Sequence, residues 1–330
     1  MPKTTNLARR ALLAAALAST ALTATAAEDP ASYPSHPVKV LVAYAPGGAN
    51  DTIARLFAQE LSEQLGQSFV VENRAGASGI PGTEAAARAA PDGYTLLLGA
   101  GGTMTINPGL FNKLPYDPLK SFDPVGLLAR SPLVLVVPPS LPVNNVEELL
   151  SYAAKQPQGI TFASPGAGTP LHLAGELFSR KADIDVVHVP YKGSVPALTD
   201  LMAGRVDMMF DVLGSSMEFV RAGRLRALAV SSTTRSAQLP DVPTVEQQGV
   251  KDFDVTSWFA YFVPAGTPRP IIDKLNAAIN KAAESPEIRE RLAPMGMEPA
   301  GGTPEALRTL VQTEQEKWAD VIEKAKLEKR

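Results

Sequence analysis

Short apolar runs alternate along this chain with segments of helical periodicity, joined by glycine-rich turns, and that alternation constrains the fold more than any other feature. Residues 38–43, 69–71, 95–98, 133–137, 160–163, 186–189, 206–210 and 225–230 read as buried strands. A helix is expected from Asp51, where Ile53, Leu56, Phe57, Leu61 and Leu65 recur at helical spacing before Gly66 stops it. Further helices are expected over 83–90, 146–155, 171–180, 196–203, 271–284 and 304–326. Strands that alternate with helices form parallel sheets covered on both faces, so the chain belongs to the α/β class.

Two further apolar stretches, 125–137 and 258–263, are placed to carry the chain between two domains. The expected division is a discontinuous first domain, 33–128 plus 256–330, and a second domain, 129–255, with a ligand cleft between them. The length of 330 residues suits two such cores.

Residues 1–26 read as an address rather than as structure. Lys3, Arg9 and Arg10 precede an apolar stretch over 11–21, and Ala24 and Ala26 supply a small-residue cleavage site near Ala26/Ala27. The apolar stretch falls short of the roughly 20 residues that a membrane-spanning helix needs. The Arg9–Arg10 pair leaves both the twin-arginine and the general export route open. With no cysteine to carry a lipid anchor, the expected destination is the periplasm.

Composition removes several classes of chemistry. The 31 Lys+Arg and 34 Asp+Glu residues nearly balance, at a formal charge of −3, so no basic footprint for nucleic acid exists. The absence of cysteine excludes disulfides, thiolate nucleophiles and cysteine-ligated metal centres. His36, His172 and His188 show no metal-binding spacing, and no G-x-S-x-G elbow occurs; Gly76-Ala77-Ser78-Gly79 misses it by one residue. No metal and no cofactor are expected.

The informative motif is a strand that hands over to a glycine turn and then to a helix. Tyr44-Ala45-Pro46-Gly47-Gly48-Ala49-Asn50-Asp51 does so, with Asn50 or Asp51 as the expected cap; Asp51 reads most simply as a residue that fixes the Gly-Gly loop. Ala163-Ser164-Pro165-Gly166-Ala167-Gly168-Thr169-Pro170 repeats the pattern, with Thr169 as cap and Pro170 at the first helical position. Tyr191-Lys192-Gly193-Ser194 is a third instance. Glycine lets a ligand approach the backbone, and unpaired N–H groups at a helix start attract anions. Convergence of two or three such loops suits a carboxylate, which needs several charge-assisted hydrogen bonds at about 1.5–3 kcal/mol each. Neither the phosphate cradle G-x-x-x-x-G-K-[ST] nor a full G-x-G-x-x-G is present. For His172 two readings stay open, direct ligand contact or a hydrogen bond that steadies the loop. Tyr44 and Trp258 could equally be core or hinge residues, and Asp211 a strand-end residue.

These runs, with Tyr33-Pro34, Val71-Glu72-Asn73-Arg74, Pro91-Asp92-Gly93-Tyr94-Thr95-Leu96, Asn107-Pro108, Leu114-Pro115-Tyr116-Asp117, Gly175-Glu176-Leu177-Phe178, His188-Val189-Pro190, Leu239-Pro240-Asp241-Val242-Pro243-Thr244, Pro264-Ala265-Gly266-Thr267-Pro268 and Lys317-Trp318, resemble in order and spacing the extracytoplasmic solute receptors of tripartite tricarboxylate transporters, the Bordetella-uptake-gene or Bug family. The resemblance spans the chain beyond the leader. It implies a two-domain periplasmic-binding-protein type II fold, each domain a mostly parallel sheet flanked by helices, joined by two crossing strands and closing like a Venus flytrap on a small organic acid. Carried over residue by residue, it places Tyr44, Gly47, Gly48, Asp51, Ser78, Gly79, Gly101, Thr103, Thr105 and Asn107 on one side of the cleft. Ser164, Gly166, Gly168, Thr169, His172, Tyr191, Lys192 and Asp211 then stand on the other.

Two departures bear on the ligand. The family often has Pro-Phe-Pro-Pro before the glycine pair where this chain has Ala43-Tyr44-Ala45-Pro46, which adds a hydroxyl. A Ser-rich stretch common in relatives is replaced by Gly101-Gly102-Thr103-Met104-Thr105, whose smaller side chains enlarge the cleft towards a longer or aromatic dicarboxylate. The expectation is a monomeric, non-catalytic receptor that binds a carboxylate and presents it to membrane permease subunits. The alternatives are a periplasmic enzyme acting on an organic acid and a ligand sensor for a membrane signalling partner.

Overall fold

Five parallel strands end in the loops that the sequence singles out, and this fixes where a ligand can meet the backbone. The structure, a computed structural model, describes residues 32–329; the expected leader, 1–26, lies outside them. β1 (Val38–Val42) is flanked in parallel by β2 (Phe69–Asn73) and β3 (Thr95–Ala100). β5 (Ile160–Ser164) is flanked in parallel by β6 (Val186–Pro190) and β7 (Met208–Val212). Helices cover both groups: α1 (Ala49–Leu65), α2 (Ile80–Ala87) and α3 (Asn107–Leu110) in the first third of the chain, then α4 (Val146–Ala153), α5 (Pro170–Ala182), α6 (Ser194–Met202) and α7 (Leu213–Arg221). The α/β class expected from the sequence is the class observed.

The two parallel groups belong to one ten-stranded sheet because β4 (Phe122–Val137) runs through both. Its first part pairs antiparallel with β9 (Thr256–Pro264), from Phe122↔Pro264 to Pro132↔Thr256. From Leu133 it pairs instead with β7, and from Val134 also with β8 (Arg226–Val230). Pro132 stands at the changeover. Lacking an N–H, it cannot donate to a ladder, so a change of neighbour there costs no hydrogen bond. The apolar stretch 125–137 and the strand 133–137 are thus one element, and 258–263 is the middle of β9. Antiparallel β10 (Glu298–Pro299) adds a short edge to β4.

The C-terminal part is helical: α8 (Arg269–Glu284), α9 (Pro286–Leu292) and α10 (Pro304–Lys324). Among the described residues, one core gathers Leu97, Phe122, Trp258 and Phe262, and another Val134, Phe162, Phe178, Phe210 and Phe253. α10 serves both, because Leu307 and Val311 pack into the first and Trp318, Val321 and Ile322 into the second. Sequence reasoning missed α7, and also α3, α9 and the wide turn Gly102–Ile106, the last three being too short to show a period.

Candidate functional site

α1 starts two residues earlier than expected, at Ala49 rather than Asp51. Gly48 is its cap, with no side chain in the capping position, and Asp51 lies inside the first turn. From there the buried Asp51 carboxylate reaches back: Oδ2 accepts the Gly47 N–H at 2.9 Å and Arg55 Nε at 3.1 Å, and Oδ1 accepts Asn73 Nδ2 at 3.0 Å. Burial pushes this carboxyl up, but the Arg55, Gly47 and Asn73 donors outweigh it and hold it below the usual carboxylate range. Asp51 therefore fixes the Gly47–Gly48 loop, as the simpler reading of the sequence has it. Replacing Asp51 with alanine strands Gly47, Arg55 and Asn73 together. The expected cost is about 2–3 kcal/mol in a urea melt, with a smaller loss for Asp51→Asn.

The loop after β3 is tied inward. Thr103 Oγ1 bonds the Ala100 backbone, Thr105 Oγ1 donates to Gly101 O at 2.7 Å, and Asn107 Nδ2 donates to Ser78 O at 2.9 Å and to Tyr116 Oη at 3.2 Å. These polar groups shape the loop with bonds to protein rather than to a cavity. Ser78 is exposed and holds a left-handed backbone at φ 54°; Gly79, buried behind it, lies against Thr103 and Tyr44.

The loop after β5 is built as the sequence predicts. Thr169 caps α5 and Pro170 begins it; the Thr169 hydroxyl accepts His172 N–H and donates to Gly166 O. Below it, His172 is 1% exposed, with both ring nitrogens engaged. Nδ1 accepts the Gly168 N–H at 3.0 Å, so Nε2 carries the proton and faces Glu176 Oε1 at 3.3 Å. His172 stacks on His188 at 3.8 Å, and His188 Nε2 shares a 2.7 Å hydrogen bond with the fully buried Ser164 hydroxyl, which also accepts Gly166 N–H. Of the two readings left open for His172, the geometry matches the one that steadies the loop.

Burial and the neighbouring His172 push His188 down to about 4. Since an unfolded histidine protonates near 6.5 and this one near 4, the unfolded state holds the extra proton between those values. Stability should therefore fall as pH drops from 6.5 to 4. Melting temperature followed against pH should lose part of that slope in His188→Asn.

Tyr191 donates its hydroxyl to Asp200 at 2.8 Å while its N–H bonds Ser164 O, zipping two loops together; Lys192 is exposed beside it. Asp211 is fully buried at the end of β7. Its Oδ2 accepts the Ser215 and Ser216 hydroxyls at 2.7 Å each, Oδ1 has no partner among the described residues, and burial pushes the carboxyl up.

A cavity of about 210 Å³ brings the separate loops together. Tyr44 from the loop after β1, Gly101 from the loop after β3 and Pro170 from the start of α5 all line it. The Tyr44 hydroxyl hydrogen-bonds to no described residue, and burial followed by the nearby Tyr116 pushes it up to about 12, so it stays a neutral donor. Sequence reasoning missed much of the remaining wall: Asn50, Ile106, Glu314 and Trp318. It also left Trp258 as a core or hinge residue. Asn50 could have been found from its place in the first helical turn, and Trp318 from the Lys317-Trp318 motif. Glu314 carries no local signal. Among the described residues no helix is long and apolar enough to cross a membrane, and no group of three or more His, Asp or Glu side chains could hold a metal ion.

Strands that end at a shared cavity are where open α/β sheets take ligands, and the comparisons with known proteins agree in kind. A Pseudomonas sp. (strain P51) protein described as a UPF0065 protein in the tcbD-tcbE intergenic region is 42% identical, over 97% of this chain and 96% of its own. The R. palustris protein Rpa4515, solved with adipate, is 36% identical with a TM-score of 0.75, covering 90% of this chain and 100% of its own. The periplasmic binding protein BugD is 37% identical with a TM-score of 0.71, again over 90% and 100%. Residues 53–327 match the model of the tripartite tricarboxylate transporter family receptor, TctC, and the chain belongs to that family of solute-binding receptors.

Proposed function

We propose that this protein is a periplasmic, monomeric receptor that closes two lobes on a small carboxylate and hands it to membrane permease subunits, without catalysing a reaction. The observation that carries this reading is the cavity in which Tyr44, Gly101 and Pro170, from three different strand-to-helix junctions, meet. Support comes from the adipate held by the R. palustris relative, from the family's receptor character and, for the location, from the leader pattern of residues 1–26.

The lobes in this reading are 33–128 plus 256–330 and 129–255. The change of neighbours along β4 at Pro132 supports the division, and β4 and β9 then serve as the crossing strands. Of the residues given by the sequence, Tyr44 and Gly101 meet the ligand directly in this reading, while Asp51, Thr103, Thr105, Asn107, Ser164, His172 and Tyr191 act through the loops they hold. Contacts from both lobes favour the closed state, so ligand shifts the hinge population.

Calorimetry with benzoate, malate and adipate, each beside its neutral amide, tests the proposal. At least one of the acids should bind and raise the melting temperature with concentration, while its amide should not. Equal binding of every acid and its amide, or conversion of a bound acid seen by NMR, would overturn the receptor reading.

A further inference from the structure

The cavity is not built alike along its length. On the α1 side it offers two donors with nothing to bond among the described residues, the Tyr44 hydroxyl and the Asn50 Nδ2 amide, and Asn50 Oδ1 is likewise without a partner, so no protein contact fixes that carboxamide against turning its N–H to an anion. A side chain at Gly102 would meet Tyr44 Oη at 3.5 Å, and one at Gly101 would meet Trp258 Nε1 at 3.5 Å, so the glycine pair leads from the polar groups to an aromatic wall. That wall is made by Trp258, Phe259 and Trp318, with Ile106 and Val255 beside them.

Glu314 completes it. Its Oε2 accepts Trp258 Nε1 at 2.8 Å, and its Oε1 pairs with Lys317 Nζ at 3.2 Å. The Trp258 N–H is therefore spent within the wall, and both oxygens of the Glu314 carboxylate are engaged, one by the indole and one by Lys317.

We infer that the ligand is a monocarboxylate with an uncharged, apolar ring, its carboxylate on the Tyr44–Asn50 side and its ring against Trp258, Phe259 and Trp318; this deepens the receptor reading and rests on it. An anion placed by the aromatic wall would exchange water for apolar surface beside a carboxylate whose counter-ion Lys317 and indole N–H are already engaged, so it would find no donor there, an unpaired burial that is strongly unfavourable. A ring placed there loses no hydrogen bond and gains offset or edge contacts with three aromatic side chains. The same wall discriminates against short and long dicarboxylates, whose second charge would have to lie in it. This narrows the aromatic dicarboxylate suggested by the sequence to a ligand with one charged end.

The experiment is calorimetry on the full receptor with benzoate, malate and adipate as probes, on wild type, Gly101→Leu and Glu314→Gln. Wild type should bind benzoate at least about tenfold more tightly than malate or adipate. Gly101 has helical dihedrals (φ −48°, ψ −41°), so leucine fits the backbone and projects into the cavity; it should weaken benzoate by about tenfold or more while the melting temperature holds. Glu314→Gln removes the wall's charge and should narrow the preference for benzoate over adipate.

Tighter binding of malate or adipate than of benzoate by the wild type overturns this inference and leaves the receptor reading standing. So does a preference for benzoate that neither variant alters. If a folded wild type binds no carboxylate at all, both readings fall together.

Discussion

Gly48→Phe should abolish ligand binding and leave the fold intact. Gly48 caps α1 at φ −82° and ψ 175°, a conformation open to any residue, and a Cβ there would meet nothing nearer than Ala45 O at 3.9 Å. The protein thus has room for the side chain. What the phenyl ring would fill is the space in front of the unpaired N–H groups of the first turn of α1, where an incoming carboxylate must lose its water. An affinity loss of about a hundredfold or more, close to 3 kcal/mol, is expected by calorimetry, with an unchanged melting temperature. Gly48→Ala should lie between. Undiminished affinity in Gly48→Phe would mean that the loop after β1 does not touch the ligand.

Gly82→Val should have the opposite signature, a large loss of stability. Gly82 lies in α2, where the helix presses on the end of β1: an added Cβ would stand 2.6 Å from Ala43 Cα and 2.7 Å from Arg74 O. Both are backbone atoms, which cannot swing aside as a side chain can, so the helix must move off the sheet. Forced overpacking of this kind costs about 3 kcal/mol or more, and urea unfolding should report it. Because Ala43 leads directly into Tyr44 and the Gly47–Gly48 loop, affinity should fall as well. The melting temperature separates the two variants: Gly82→Val lowers it and Gly48→Phe does not.

Local signals were read well because they act over a few residues. The Thr169–Pro170 start of α5 follows from a hydroxyl that caps its own turn and a ring whose φ suits the first helical position. The strand-to-helix junctions at 43–49 and 164–170 are equally local, as is the alternation that sets the α/β class. The cap of α1 went astray because Asp51 satisfies the Gly47 N–H from inside the helix, a long-armed contact that a cap rule does not anticipate.

The sequence by itself determined the strands, most of the helices, the glycine loops and the family pattern, since each rests on periodicity or on the chemistry of neighbouring residues. Only the tertiary structure decided that the hydroxyls and amide of Thr103, Thr105 and Asn107 turn into their own loop, and that Trp258 and Glu314, 56 residues apart, share a hydrogen bond in the cavity wall. The reason is physical. Which face of α10 meets β9 is settled by burying Leu307, Val311 and Trp318 in two cores at once, a condition on the whole molecule that no short stretch of chain contains.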